Sequence, residues 1–249
     1  DDRLTRGGPV MGTPSSSGWS FDIESPDGRR NRWQLNVDHQ RSENNGWNQE
    51  IGLEFGFQPS DRLEISLEPN WSRDANARQY ITSEPTASSP TYNTRYVFGR
   101  VDLSEISSEL RLNYTFTPNL TLETVLQPFA ASGRYSRFGQ LSAPRSRNLL
   151  FYGTAGTTIT KNPDGSYTVD DGEESFDIDN EDFNERSLRS NMVVRWEWRS
   201  GSTLFLVWQQ SREQERPFAD ARPSHLAQAF GAKADNFFAL KVSYWIPLR

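Results

Sequence analysis

The chain has 249 residues, 34% hydrophobic and 24% charged, with a net charge of -6 and no cysteine. These values exclude disulfide frameworks and thiolate metal sites, and a pI near 5.1 argues against a nucleic-acid partner. The count of 8 Trp, 8 Tyr and 15 Phe is too high for a disordered chain, yet no apolar run approaches the ~18 residues of a membrane helix. Few aliphatics with many aromatics fit a membrane β-barrel, in which only every second strand residue meets lipid.

Residues 1–17, with Gly7, Gly8, Pro9, Gly12 and Pro14, do not read as a strand and form an entry segment. Residues 18–249 read as one β domain with strict alternation. Trp19, Phe21 and Ile23 alternate with Ser20, Asp22 and Glu24, and Pro26-Asp27-Gly28 turns the chain. Trp33, Leu35 and Val37 follow, opposite Gln34, Asn36 and Asp38; after Asn45-Gly46 come Trp47, Ile51, Leu53, Phe55 and Phe57. A turn at 58–61 leads to Leu63, Ile65 and Leu67. The clearest hairpin sets Ile106, Leu110, Leu112, Tyr114 and Phe116 beside Leu120, Leu122 and Leu126, around Thr117-Pro118-Asn119. Met192, Val194, Trp196 and Trp198 turn through 199–202 into Leu204, Leu206 and Trp208, where apolar Phe205 and Val207 leave the facing open. Ser224–Phe230 reads as a short helix with Ser224 as its cap. The final strand carries Phe238, Leu240, Val242, Tyr244, Ile246 and Leu248.

The expected fold is an all-β, antiparallel, outer-membrane barrel with about nine to eleven strands. Strands of about 10 residues suit a tilted bilayer crossing. Short turns alternate with long connections near 72–92, 132–184 and 212–236, matching periplasmic turns and extracellular loops; 78–84 and 92–101 add two strands or form an extracellular hairpin. Glu50, Glu54, Glu64, Glu68, Glu109, Arg111, Glu123, Arg189, Arg195 and Glu197 are expected to face the lumen. Trp19, Trp33, Trp47, Trp71, Trp196, Trp208 and Trp245 are expected near strand ends, as an interfacial girdle. A soluble sandwich also alternates, with its polar face in water; the tryptophan placement favours the barrel. With tight turns periplasmic, 236–248 and 46–57 run inward, 31–40 outward and 18–25 inward, so an outward strand must precede the first. Bacterial barrels have an even strand number, and the chain is therefore expected to be the C-terminal part of a longer barrel.

Arg95-Tyr96-Val97-Phe98, Leu110 through Leu120, Gln127-Pro128-Phe129 and Ser132 through Tyr135 form a series with Asp182-Phe183-Asn184, Ser187 through Asn191 and Arg195-Trp196-Glu197. Gly201 through Leu204, Val207 through Gln210 and Lys241 through Trp245 continue it. The series resembles the C-terminal region of a family of bacterial outer-membrane proteins that joins an N-terminal module similar to family 9 carbohydrate-binding domains to a C-terminal β-barrel. The resemblance implies an outer-membrane location and a carbohydrate-binding module and strands outside this chain; it brings no catalytic residues. The ending Leu248-Arg249 departs from the aromatic terminus common in such barrels and leaves recognition by the assembly machinery to Tyr244, Trp245 and Ile246.

Enzymatic signatures are sparse. His39 reads as a strand-end residue and His225 as a helix residue, and neither belongs to a recognisable catalytic or phosphate-binding motif. Glu50/Glu54 and Glu64/Glu68 are candidate carboxylate pairs for glycoside hydrolysis, which needs them ~5–9 Å apart, but pairing with lumen arginines is the stronger reading. The acidic stretch with Asp170, Asp171, Asp177, Asp179 and Glu181 is a candidate cation-binding loop; it lacks the glycine and distal glutamate of an EF-hand, so a solvated loop is the stronger reading. No catalytic residue or cofactor is assigned. Expected partners are outer-membrane lipid, the barrel assembly machinery, an upstream part of the barrel or a companion chain, and a polysaccharide. Surface glycan binding or solute passage is the leading functional expectation; a plugged structural barrel, or an anchor for another domain, is the alternative.

Overall fold

The computed structural model describes residues 3–26, 30–86 and 89–246. Strand makes up 67% of the structure against 3% helix, which makes the fold all-β. The main strands are β1 (Ser16–Glu24), β2 (Asn31–Ser42), β3 (Trp47–Ser60), β4 (Leu63–Pro85), β5 (Thr94–Thr117) and β6 (Leu120–Leu141). Four short strands follow: β7 (Leu149–Phe151), β8 (Thr158–Lys161), β9 (Tyr167–Asp170) and β10 (Ser175–Ile178). The chain then returns through β11 (Phe183–Arg199), β12 (Ser202–Glu215), helix α1 (Pro223–Ala229) and β13 (Ala234–Ser243).

One antiparallel sheet runs β1-β2-β3-β4-β5-β6-β11-β12-β13, with β7 on the far end of β6. Apart from β6 and β11, which pair across the excursion that holds β7 to β10, each strand of the path pairs with the next in sequence, so local alternation and connections specify most of the order. The turns after β3, β5 and β11 lie at one end of the sheet, as the sequence suggests. Pro26-Asp27-Gly28 and the terminal Leu248-Arg249 fall wholly or partly outside the described residues. Among the described residues the sheet does not close. Nine antiparallel strands leave β1 and β13 running the same way, so these two cannot pair antiparallel with each other. Every residue of β1 is exposed, as are all of β13 except the half-buried Ala234 and Ala239.

The expected long connections are largely strand. Segments 78–84 and 92–101 continue β4 and β5 as one hairpin, from Gln79 opposite Gly99 to Pro85 opposite Thr94. β6 extends to Leu141 and β12 to Glu215. The extensions have protein on both faces. On one face, β8–β9–β10 form a three-stranded sheet whose Val169 and Ile178 pack with Val97, Phe138 and Tyr152. On the other, the entry segment docks Met11 against Phe98 and Leu141. Gly8 there lies so close to the outer edge of the Tyr96 ring that a Cβ would come within 2.2 Å of it, so any larger residue would have to displace that ring. Helix α1 has Pro223 at its start and Arg222, not Ser224, as the residue before it, with no side-chain cap. Its residue Leu226, with Ala221 before it, packs on Ile106 and Ala130.

Candidate functional site

The ladder register sorts side chains by face, because successive residues of a strand point to opposite sides. Asp22, Asn36, Gly52, Asn70 and Ser107 are cross-strand partners in turn across β1 to β5, and Phe129 and Ser187 carry the row into β11. All ten expected lumen charges share this polar face. Glu50, Glu54, Glu64 and Glu68 stand on β3 and β4, Glu109 and Arg111 on β5, Glu123 on β6, and Arg189, Arg195 and Glu197 on β11. Several are tied together. Arg32 meets Glu54 at 3.5 Å and Arg195 meets Glu197 at 3.2 Å. Glu109 pairs with Arg111 and accepts a hydrogen bond from Gln127 Nε2 at 2.6 Å. Asn70 Nδ2 donates to Glu50 at 2.8 Å.

A cleft of about 720 Å³ opens on this face over β4, β5, β6, β11 and β12. Glu68, Glu109, Glu185, Glu213 and Glu215 line it together with Arg186 and Arg189. Glu68 stands directly opposite Glu109, and Glu185 opposite Glu215, which places like charges in cross-strand contact. Among the described residues Glu68, Glu185, Glu213, Glu215 and Arg189 form no ion pair. Arg189 was among the expected charges; Glu185, Glu213 and Glu215 were not: Glu213 and Glu215 fall in 212–236, expected as a connection although β12 runs to Glu215, and Glu185 directly follows the expected 132–184 connection, whose last two residues already belong to β11.

The opposite face carries an apolar band. Phe21, Val37, Ile51, Trp71 and Ile106 form a cross-strand row, and Leu112, Thr124, Met192, Trp208 and Phe238 form another. Leu204 and Leu206 lie opposite Trp196 and Val194, which settles the facing of β12 and turns Phe205 and Val207 to the polar side. Trp19, Trp47 and Trp71 lie toward the long-loop end, and Trp33, Trp196 and Trp245 toward the tight-turn end. Two differ from expectation. Trp208 sits mid-strand in β12, and Trp71 is not near a strand end because β4 continues 14 residues beyond it. Trp198 takes the extra position of a bulge between Glu197 and Arg199, so it leaves the alternation.

The acidic stretch is built into the three-stranded sheet. Asp171 pairs with Arg95, which is 2% exposed and whose guanidinium lies 4.5 Å from the Phe176 ring centre. Burial pushes the Asp171 carboxyl upward, but N–H bonds from Glu174 and Glu173 and the Arg95 charge hold it below its ordinary value. Asp170 caps the Gly172 N–H, and Asp177 accepts from the Thr168 hydroxyl at 2.7 Å. Asp179 and Glu181 follow β10. Among the described residues no three carboxylates or histidines are grouped to hold a metal. His39 faces Trp19 with ring centres 5.8 Å apart, and His225 is buried in α1.

A family described as a domain of unknown function, DUF5916, matches residues 5–249, and the chain belongs to it. No curated protein and no solved structure matches the chain.

Proposed function

For this member of the family we propose a membrane-spanning role: the sheet is the wall of an outer-membrane β-barrel whose polar face lines a passage or glycan-handling lumen. The observation that carries the reading is the pair of unlike faces. Trp19, Phe55, Trp196, Phe238 and Leu240 are each more than 40% exposed on one face, and among the described residues no second layer covers the lower part of that band. An apolar surface of this extent is unstable in water and stable in lipid, where alternation, tilted crossings and aromatic rims meet the bilayer's demands. On β5 the apolar residues of this face run from Ile106, which Ala221 and Leu226 cover, to Phe116; ten steps of ~3.4 Å at a tilt of about 45° span roughly 24 Å, against a barrel norm of ~25 Å, and the uncovered part from Leu110 spans roughly 14 Å of that.

The exposed β1 and β13 edges would be closed by further strands, from an upstream part of the same barrel or a companion chain, because lipid-facing edges are not tolerated. Five glutamates against Arg186 and Arg189 in the polar cleft favour cations and hydroxyl-rich solutes over anions. A second reading has a specific observation behind it. The β8–β10 sheet packs on the polar face, as a cap over the mouth, and would narrow or plug the lumen.

The test is reconstitution of the complete protein in liposomes. Swelling in neutral sugars, with cation-selective conductance in planar bilayers, is the expected result. Membrane insertion without swelling or conductance would favour the plugged barrel, and absence from purified outer membranes would overturn the membrane reading.

A further inference from the structure

A second cavity, of about 440 Å³, opens beside the polar cleft, over β6, β11, β12 and β13. The two share Gln127 and Arg189, so they form one groove. Along β11 the groove reaches from Glu185 to Asn191, roughly 20 Å.

Its floor follows from register. Arg111, Val125, Asn191, Gln209 and Phe237 are cross-strand partners in one row, and Gln127, Arg189, Ser211 and Asp235 make the next. Gln209 shares the polar face with Phe205 and Val207, and its partner Phe237 therefore does too. Phe237 is 58% exposed. Phe238 stacks on Trp208 on the opposite face, but Phe237 has no ring partner among the described residues. Strands that complete the barrel leave this ring open, because a strand paired with β13 lies in the plane of the wall. The β8–β10 cap leaves it open as well, since it stands over Val97 and Phe138, far along β5 and β6 from Arg111 and Val125.

The polar groups around the ring are unused. Among the described residues the side chains of Arg189, Asn191, Gln209 and Asp235 make no hydrogen bond or ion pair. All four are planar groups, and together they offer both donors and acceptors. The charges of Arg189 and Asp235 balance. A ligand that fits is uncharged, carries adjacent hydroxyls for two-pronged contacts with planar groups, and has a patch of C–H to lay on the electron-rich face of a phenyl ring. A pyranose meets all three conditions. Phe237 is the one aromatic residue lining this cavity, so no second ring is there to sandwich a flat heteroaromatic ligand, and an open groove suits an extended chain.

We propose that this groove binds a linear, uncharged oligosaccharide, with one sugar stacked on Phe237 and its hydroxyls on Arg189, Asn191, Gln209 and Asp235. The proposal deepens the lumen reading and rests on it for access to the groove; the binding itself rests on the groove alone. The glutamates of the adjoining cleft disfavour acidic chains.

The experiment is calorimetric titration of the complete protein in detergent micelles. The probes are maltotetraose, cellotetraose, mannotetraose and chitotetraose, the monosaccharide of each, and tetragalacturonate. The expected result is that at least one neutral tetrasaccharide binds roughly tenfold or more tighter than its monosaccharide and than the acidic chain. Phe237→Ala and the double variant Asn191→Ala/Gln209→Ala should each weaken that binding by about tenfold or more, while Phe237→Trp keeps it within about threefold. Gln34→Ala, on the polar face of β2 and outside the groove, should leave it unchanged. No binding by any of the four tetrasaccharides, undiminished binding by Phe237→Ala, or an equal loss in Gln34→Ala overturns the proposal. If the groove variants do not fold, hydrogen exchange of the unaltered chain decides it: the bound tetrasaccharide should slow exchange at 205–211 and 235–239, and no slowing there overturns the proposal. Liposome swelling without saccharide binding overturns this inference and leaves the barrel reading standing. Saccharide binding by a chain absent from outer membranes supports the groove and overturns the barrel reading.

Discussion

The two halves of β5 solve opposite problems with one continuous strand. From Thr94 to Val101 the strand has protein on both faces: Val97 and Phe98 are consecutive, and both are 0% exposed. From Ile106 to Phe116 alternation is strict, with Leu110 and Leu112 on one face and Glu109 and Arg111 on the other. The upper half brings its own covering layers, the three-stranded sheet and the entry segment. Below Ile106, which Ala221 and Leu226 cover, the lower half brings none, so its apolar face there demands a solvent other than water. The lesson is that hydrophobic pattern reports what lies on each side of a strand: a two-sided core gives a run, and a one-sided environment gives alternation.

The upper half should be the more sensitive to lost volume. Phe98→Ala removes a ring packed beside Met11 and Leu141, with Tyr80 edge-on at 5.9 Å. A buried Phe→Ala change costs about 3–5 kcal/mol. Urea titration of the folded chain should show that loss, and a cost below about 1 kcal/mol would mean the entry segment is not docked there.

The lower half should instead be sensitive to charge. Leu112→Arg on the apolar face should cost about 2–4 kcal/mol near the bilayer midplane. Asn113→Arg, beside it on the polar face, should cost well under half as much. The pair is compared by folding titrations in lipid vesicles; equal costs would break the distinction between the faces.

These halves also explain what could be read beforehand. The lower strands are legible because each residue has one local rule to satisfy, and the register from Asp22 to Lys241 follows from alternation plus tight turns. The polar-face charges were found for the same reason. Of the upper extensions, 78–84 and 92–101 were expected as strands or a hairpin, whereas those of β6 and β12 were not, since residues such as Arg134 and Ser136 look like loop; the pairing there is fixed by bulges near Arg78 and Arg137 and by layers far away in sequence. Arg137 has a φ of +51°, a bulge signal invisible in residue type. The acidic stretch misled for a related reason: carboxylates that suggest a cation site are used singly, Asp171 by Arg95 across 76 residues.

That pair offers a gentler probe of the upper half. Because Asp171 titrates below its ordinary value when folded, its contribution is complete above the usual carboxylate range near pH 4 and is lost as pH falls through the folded value. Hydrogen-exchange protection of 158–178, taken relative to the intrinsic rate at each pH, should hold steady from pH 7 to 5 and fall below about pH 4, while the lower strands stay protected. Asp171→Asn should accelerate that exchange at neutral pH and flatten the acid response. An acid response unchanged in the variant would assign the loosening to another carboxylate.

The smallest effect expected lies on the polar face of the lower half. Glu68 opposes Glu109 across the β4–β5 ladder, and like charges directly opposite destabilise a sheet by a few tenths of a kcal/mol up to about 1. Arg111 and Gln127 already satisfy Glu109, which leaves Glu68 as the member whose charge the sheet does not need. Glu68→Gln should therefore stabilise slightly, by about 0.2–1 kcal/mol. If the cleft lies along a passage, the same change should lower cation preference in planar bilayers while leaving sugar permeation intact. Stabilisation without any change in selectivity would mean that ions do not pass this cleft, and the charge would then be a feature of a lumen closed by the β8–β10 cap. A loss of stability would mean that Glu68 has a cationic partner in the assembled barrel, which would point to the strands that complete it.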